Sequence, residues 1–142
     1  MRQVIEGPDG PWRFTLLRPQ MFALGDSPSR PFANDWIMVG RNGVITIAQG
    51  YAWDGCSVVP DGRRGSDGLP VTWRASLIHD ALYQFCIDNG VYTRQQADAA
   101  FRERLRMDGF ALAGVYYAGV RLFGGLFHAM GREGQHEPPA GS

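Results

Sequence analysis

The sequence predicts an α+β fold in which an N-terminal antiparallel β portion precedes a three-helix core. The β portion is indicated by Asn42-Gly43 between the apolar stretches Trp36–Gly40 and Val44–Ala48, a pattern typical of a two-residue hairpin turn. From residue 72 onward, apolar residues recur at helical spacing instead. The chain has 142 residues, which suits one domain with a real hydrophobic core.

Composition is that of an ordinary globular protein and argues against several classes of function. Hydrophobic residues make up 44% of the chain, and its formal net charge is +0. Bulk charge therefore does not indicate nucleic acid or an anionic membrane as a partner. Two cysteines, Cys56 and Cys86, are too few for a disulfide scaffold and are compatible with a reducing compartment. The N-terminal MRQVIEGPDG has no apolar core, so we expect no secretion signal.

We expect a single domain that spans residues 1–142 and has four portions. In order, these are a β-rich portion (1–50), a long Gly-, Asp- and Pro-rich loop (51–71), a helical core (72–130) and a flexible tail (131–142). A loop of that length inside a compact domain is often functional.

The first predicted helix begins after Thr72, a residue type that caps helices, and ends at Gly90. His79 and Tyr83 lie four residues apart and therefore share one face of this helix. The helix is apolar almost all round, so we expect it to be buried. Burying His79 beside Asp80 is costly unless these groups are paired or bind a metal, which makes this helix the place to look for chemistry.

The second predicted helix begins at Thr93, and Gln96 completes a capping box. Asp98 lies on its inward, apolar stripe. A short connection should pack the two helices antiparallel, which brings His79 and Asp98 towards each other. Their depths do not match closely, because His79 lies about 11 residues before Gly90 and Asp98 about five after Thr93. Direct contact is therefore not guaranteed by geometry alone, and pairing of Asp98 with an arginine is an alternative.

The third predicted helix is the apolar run Gly109–Met130, which is long enough to span a membrane. Arg121 lies in the middle of the run and would cost roughly 2.5–3.5 kcal/mol on insertion scales. We therefore expect a buried helix, with a membrane-spanning or membrane-surface helix as the alternative.

Four motifs occur in a fixed order along the chain. They are the loop Asp54–Asp61, HDALY at His79–Tyr83, the segment Arg94–Phe101 and YYAGVRLFG at Tyr116–Gly124. In order and spacing they resemble the phospholipase A2 superfamily, most closely its short bacterial and fungal branch, over about half of the chain. With the preceding β-hairpin, the loop and HDALY also resemble a family of small tailed-phage and prophage proteins of unknown function.

The phospholipase resemblance implies a catalytic site made of His79, Asp98 and Tyr83. His79 would be the general base that takes a proton from the water attacking the sn-2 ester of a phospholipid. Asp98 would hold the other imidazole nitrogen, and Tyr83 would donate a hydrogen bond to that carboxylate.

The resemblance also implies a Ca²⁺ site made of Asp54, Asp80 and the Gly55 carbonyl, which would stabilise the developing oxyanion. Apart from any family, hard oxygen ligands beside a histidine suit Ca²⁺ or Mg²⁺ better than zinc. Asp54 has the alternative of an Asx-turn. Secreted members have a cysteine where this chain has Ser76, so Cys56 lacks the partner found there.

Three functions follow from these patterns. The first is a phage or prophage enzyme that hydrolyses phospholipid esters. The second is a non-catalytic virion or assembly protein that keeps the core as a scaffold and contacts other phage structural proteins. The third is a lysis accessory that makes transient membrane contact through Gly109–Met130. Each implies the bacterial host cytoplasm or the phage particle. An open cleft at His79 and Asp98 would favour the enzyme, and a sealed pair would favour the scaffold.

Overall fold

The computed structural model of the protein describes residues 2–7, 13–55 and 64–109. These segments contain seven strands and two helices. The elements are β1 (Val4–Glu6), β2 (Phe14–Leu16), β3 (Gln20–Ala23), β4 (Phe32–Ala33), β5 (Ile37–Val39), β6 (Val44–Ile47), β7 (Ala52–Trp53), α1 (Trp73–Phe85) and α2 (Arg94–Met107). The strands form two antiparallel sheets, with the orders β1-β2-β7 and β3-β6-β5-β4.

The predicted fold class is wrong. Across the described segments the protein is mostly β, with two sheets and a small helical part of two helices, instead of a hairpin portion in front of a three-helix core. The strands are only two to four residues long, too short for the alternation by which a sequence indicates a strand. Beyond Gly109, the predicted third helix and the predicted tail lie outside the described residues. In the part of the chain that the structure describes, neither helix is long and apolar enough to cross a membrane.

The predicted hairpin joins β5 and β6, but its turn differs from the predicted two-residue type. Asn42 has a negative φ, which excludes a turn with two left-handed residues. Instead, Gly43 N–H donates to the Gly40 carbonyl at 3.0 Å, and Gly43 alone has a positive φ of 80°. This is a three-residue loop that ends in a left-handed glycine. Glycine is needed there because a Cβ atom would lie 2.6 Å from the carbonyl oxygen of Asp26.

Strand β7 occupies the start of the predicted long loop and packs the first sheet against α1. The indole N–H of Trp53 donates to Ser76 Oγ at 2.9 Å, and both residues are buried. The Tyr51 hydroxyl donates to Gln84 Oε1 at 2.9 Å, about two turns further along α1. These contacts fix the chain just before Asp54 against the helix that carries the candidate site.

Helix α1 is shorter than predicted. Thr72 is its N-cap residue, but the Thr72 side chain makes no capping hydrogen bond. The helix ends at Phe85, whose carbonyl accepts a 2.6 Å bond from the side chain of Asn89. Gly90 adopts a positive φ of 69°, so the glycine closes the turn beyond the helix instead of ending the helix directly.

Helix α2 has the predicted start and the predicted buried stripe. The Thr93 side chain accepts from Gln96 N–H at 3.1 Å, and the Gln96 side chain accepts from Thr93 N–H at 2.9 Å, which confirms the capping box. The buried residues of α2 are Ala97, Asp98, Phe101 and Leu105. This stripe places Asp98 against α1.

Candidate active site

His79, Tyr83 and Asp98 meet between the two helices. Asp98 Oδ1 lies 2.8 Å from His79 Nε2 and accepts a 2.7 Å hydrogen bond from the Tyr83 hydroxyl. Asp98 is fully buried and His79 is 8% exposed. A buried carboxylate is tolerable when donors satisfy it, and here α1 supplies two of them from adjacent turns of one face.

The meeting of His79 and Asp98 follows from where the helices end. His79 lies six residues before Phe85, the last residue of α1, and Asp98 lies four residues after Arg94, the first of α2. The early end of α1 removes most of the mismatch in depth that the sequence suggested. The structure therefore brings together the three residues for which a catalytic role was predicted, and it leaves the role itself a prediction.

The hydrogen-bond pattern fixes the tautomer of His79. A carboxylate oxygen accepts, so Nε2 of His79 is the donor, and in the neutral imidazole Nδ1 then carries the lone pair. Nδ1 makes no hydrogen bond within the described part of the chain. No fully buried side-chain nitrogen or oxygen there lacks a partner, so Nδ1 keeps contact with solvent. An imidazole held in this way can take a proton from a water molecule.

Aromatic rings hold the imidazole from both helices. The ring centroid of His79 lies 4.1 Å from that of Tyr83 and 5.2 Å from that of Phe101. These contacts restrict the rotamer of His79, so Nδ1 points in one direction only. A locked imidazole suits general-base catalysis, and it equally suits a structural role in the core.

Asp80, which follows His79 in α1, and Asp54 form a second group of carboxylates. Burial raises the pKa of Asp80 well above its ordinary value, and the nearby Asp54 carboxylate raises this pKa further. Asp80 accepts no hydrogen bond from the described residues. Asp54 Oδ1 accepts a 3.2 Å bond from the backbone N–H of Arg13. Two neighbouring carboxylates are a favourable environment for a cation.

The residues of the predicted Ca²⁺ site fit a hard cation in kind. Asp54 and Asp80 offer carboxylate oxygens, and Gly55, buried beside Asp54, offers a carbonyl. Among the described residues, no three His, Cys, Asp or Glu side chains converge in a way that could hold a metal ion. An ion at this position would therefore depend on two carboxylates together with main-chain oxygens and water.

Tyr51 and Gln84 are neighbours of this carboxylate group that the sequence did not single out. Burial, and secondarily the charge of Asp80, raise the pKa of the Tyr51 phenol well above its ordinary value. Gln84, four residues after Asp80 on the same helix face, accepts the hydrogen bond from that phenol. The i, i+4 spacing of Asp80 and Gln84 was the available signal, but nothing in the sequence indicated that Tyr51 would lie opposite them.

Ser76 has a packing role between β7 and α1. Its hydroxyl accepts from Trp53 and donates to the Trp73 carbonyl at 3.0 Å. Cys86 is a buried free thiol, and burial raises its pKa to about 12. Cys56 lies outside the described residues.

Fold and site together define a β-rich domain that carries a buried His–Asp pair on two packed helices. The chain belongs to the family described as "Protein of unknown function (DUF1353)", which matches residues 32–120. That range contains β4 to β7, both helices and all the candidate site residues. Neither the curated proteins nor the solved structures include a significant match to this chain.

Proposed function

We propose that this protein is a hydrolase of carboxylic esters in which His79 is the general base. The observation that carries the proposal is the 2.8 Å contact of His79 Nε2 with Asp98, which leaves the Nδ1 lone pair available. Nδ1 would take a proton from water as the water oxygen bonds to the ester carbonyl carbon. The same proton would then pass to the alkoxide oxygen as the ester C–O bond breaks. Asp98 would keep the imidazole oriented and stabilise its protonated form.

Asp54, Asp80 and the Gly55 carbonyl would hold a divalent cation, with Ca²⁺ the best match to their oxygen donors. When bound, such an ion stabilises the negative charge that develops on the carbonyl oxygen. The support for this part is the pair of neighbouring carboxylates and the raised pKa of Asp80. Binding a cation would remove the cost of ionising Asp80 in a half-buried position.

We propose phospholipid as the substrate because the loop and helix motifs around Asp54, His79 and Asp98 resemble those of phospholipase A2 enzymes. The resemblance to tailed-phage and prophage proteins extends the proposal to a protein of the bacterial host cytoplasm or the phage particle. The lipid and the phage setting both rest on the order and spacing of these motifs.

The test of this proposal is hydrolysis of defined phospholipid vesicles with Ca²⁺ or with EDTA. We expect one fatty acid and one lysophospholipid to be released in equal amounts, measured by mass spectrometry, and only when Ca²⁺ is present. Asp80→Asn should abolish the release of products in the presence of Ca²⁺. Asp35→Asn, which alters an exposed carboxylate, should leave it unchanged. Absence of products for every vesicle composition with Ca²⁺ would contradict the proposal.

The burial of His79 favours a second candidate, a non-catalytic domain in which the pair stabilises the core. Only 8% of His79 is exposed, and Asp98 is fully buried. A scaffold of a virion or an assembly intermediate would need the pair for folding and not for chemistry. The same vesicle assay separates the two, because a scaffold releases no lipid product.

A further inference from the structure

A cavity of about 510 Å³ lies between β1, the turn before α1 and the first turn of α1. Its volume is within the usual range of small-ligand sites. Its charged walls are Arg2, Glu6, Asp67 and Arg74. Arg74 precedes His79 by five residues, a rotation of about 140° around a helix, so the cavity faces away from the candidate active site.

Hydrogen-bond donors of the protein already bind both carboxylates of this cavity. Glu6 accepts from Arg13 Nε and from Arg64 Nη2, each at 3.0 Å. Asp67 accepts from the backbone N–H of Leu69 at 3.0 Å and from the indole of Trp73 at 3.2 Å. Their negative charge is thus largely offset within the protein.

The two arginines of the cavity wall, unlike the two carboxylates, have no such partners among the described residues. Within the described ranges, Arg2 and Arg74 make no hydrogen bond and no ion pair. The guanidinium carbon of Arg74 lies 4.4 Å from the centre of the Trp73 ring, a stacking contact that leaves its N–H groups available to an acceptor. The walls thus carry two arginines and two carboxylates, and the carboxylates are the groups that other donors of the protein already bind.

We propose that this cavity binds a phosphate group that bears a small apolar substituent. A phosphate dianion matches the two uncommitted guanidinium groups in charge, and guanidinium binds phosphate oxygens in pairs. Val4 and Leu69, which also line the cavity, provide apolar surface for the substituent. The proposal does not depend on the chemistry of His79, and it applies to a soluble phosphate ester and to a lipid headgroup alike.

The test is calorimetric titration of the full chain with phenyl phosphate and, separately, with inorganic phosphate. We expect saturable binding, with phenyl phosphate tighter than inorganic phosphate because of the apolar wall. Arg74→Met should weaken the binding of phenyl phosphate by about tenfold or more, the usual worth of a charge-assisted hydrogen bond. Arg94→Met is the matched control, since Arg94 lies in the first turn of α2, carries the same charge and should change binding less than about twofold.

Further variants and ligands keep the result unambiguous. Arg74→Lys retains the charge and should bind more tightly than Arg74→Met, and equal melting temperatures of the two variants would exclude a simple loss of folding. His79→Gln should bind phenyl phosphate as wild type does, so this site and the ester hydrolase proposal can fail separately. Sedimentation with phosphatidate vesicles but no binding of phenyl phosphate would assign the site to a lipid headgroup. Equal weakening by Arg74→Met and Arg94→Met, or no binding of any of these ligands, would overturn the proposal.

Discussion

The carboxylate of Asp98 accepts from His79 at 2.8 Å across the contact between α1 and α2. Asp98 lies on the buried stripe of a helix whose outer face is charged, and His79 lies mid-helix on the element that the first sheet packs against. The helix contact and the hydrogen bond are therefore one structural feature. Removing the Asp98 carboxylate should therefore affect folding, whereas changing His79 to a residue that can still donate should affect a reaction only if the pair is catalytic.

Replacing Asp98 with Asn should destabilise the protein clearly. The amide cannot satisfy the two donors from His79 and Tyr83 as a carboxylate does, and we expect a loss of about 1–3 kcal/mol in the free energy of unfolding. Asp108→Asn is the control, because Asp108 pairs with Arg104 four residues earlier at the end of α2. The loss in unfolding free energy for Asp108→Asn should be below about 1 kcal/mol. Urea denaturation measures both losses. Equal losses would mean that the buried His79–Asp98 pair contributes no more to stability than the Arg104–Asp108 pair does.

Replacing Tyr83 with Phe should remove one donor to Asp98 Oδ1 and keep the aromatic ring. We expect a loss of about 0.5–1.5 kcal/mol in unfolding free energy. In a double-mutant cycle with Asp98→Asn, the two changes should be coupled by roughly 0.5–3 kcal/mol. Tyr92→Phe, which removes a hydroxyl that donates to the Asp26 carbonyl, should be additive with Asp98→Asn. Additivity of both tyrosine variants would show that the hydroxyl of Tyr83 does not act through Asp98.

Stability in the absence of metal should fall as Asp80 ionises. The pKa of Asp80 in the folded protein is raised above its ordinary value of 3.8, so the folded state holds this proton more tightly than the unfolded chain does. Stability from this group is present below the unfolded pKa and is lost as pH rises towards the folded pKa. Asp80→Asn, which cannot ionise, should therefore raise the melting temperature at pH 7 in EDTA and have almost no effect at acidic pH. A lower melting temperature at pH 7 would contradict this sign, and Asp35→Asn should change little at either pH.

Calcium should reverse the order of wild type and Asp80→Asn. An ion that binds only the folded state stabilises it by mass action, by about 2.7 kcal/mol at 100 times its dissociation constant. The wild-type melting temperature should therefore rise with millimolar Ca²⁺, and that of Asp80→Asn should stay constant. Wild-type melting curves that coincide in EDTA and in millimolar Ca²⁺ would argue against a site at Asp54 and Asp80.

Both cysteines should be reduced, and Cys86 should be unreactive in the native protein. Thiol counting on denatured, unreduced protein should find two free groups, since two cysteines are too few for a disulfide scaffold and Cys86 is a free thiol. Cys86 is buried with a pKa of about 12, so almost no thiolate exists at pH 8. In a Cys56→Ser variant, iodoacetamide should label Cys86 only after unfolding. Rapid labelling of the native variant would show that the C-terminal end of α1 opens readily.

The sequence predicted the helical elements of the site better than the sheets. Helical spacing indicated His79, Tyr83 and Asp98 as site residues because side chains three or four residues apart share one face of a helix. The capping box located the start of α2. Tyr51 was missed because its position depends on β7, a two-residue strand whose pairing with β2 no local pattern indicates. Strand pairing depends on contacts between distant segments, and short strands carry little of that information locally.

The most direct measurement is the effect of His79→Gln on phospholipid hydrolysis and on stability in the same preparation. If His79 is the base, hydrolysis with Ca²⁺ should fall by roughly two to four orders of magnitude, the usual contribution of general-base catalysis, with little change in the urea midpoint. Glu103→Gln, on the exposed face of α2, should leave both quantities unchanged. A wild-type protein without activity, together with a loss of about 1–3 kcal/mol in His79→Gln, would contradict the account and identify the pair as structural.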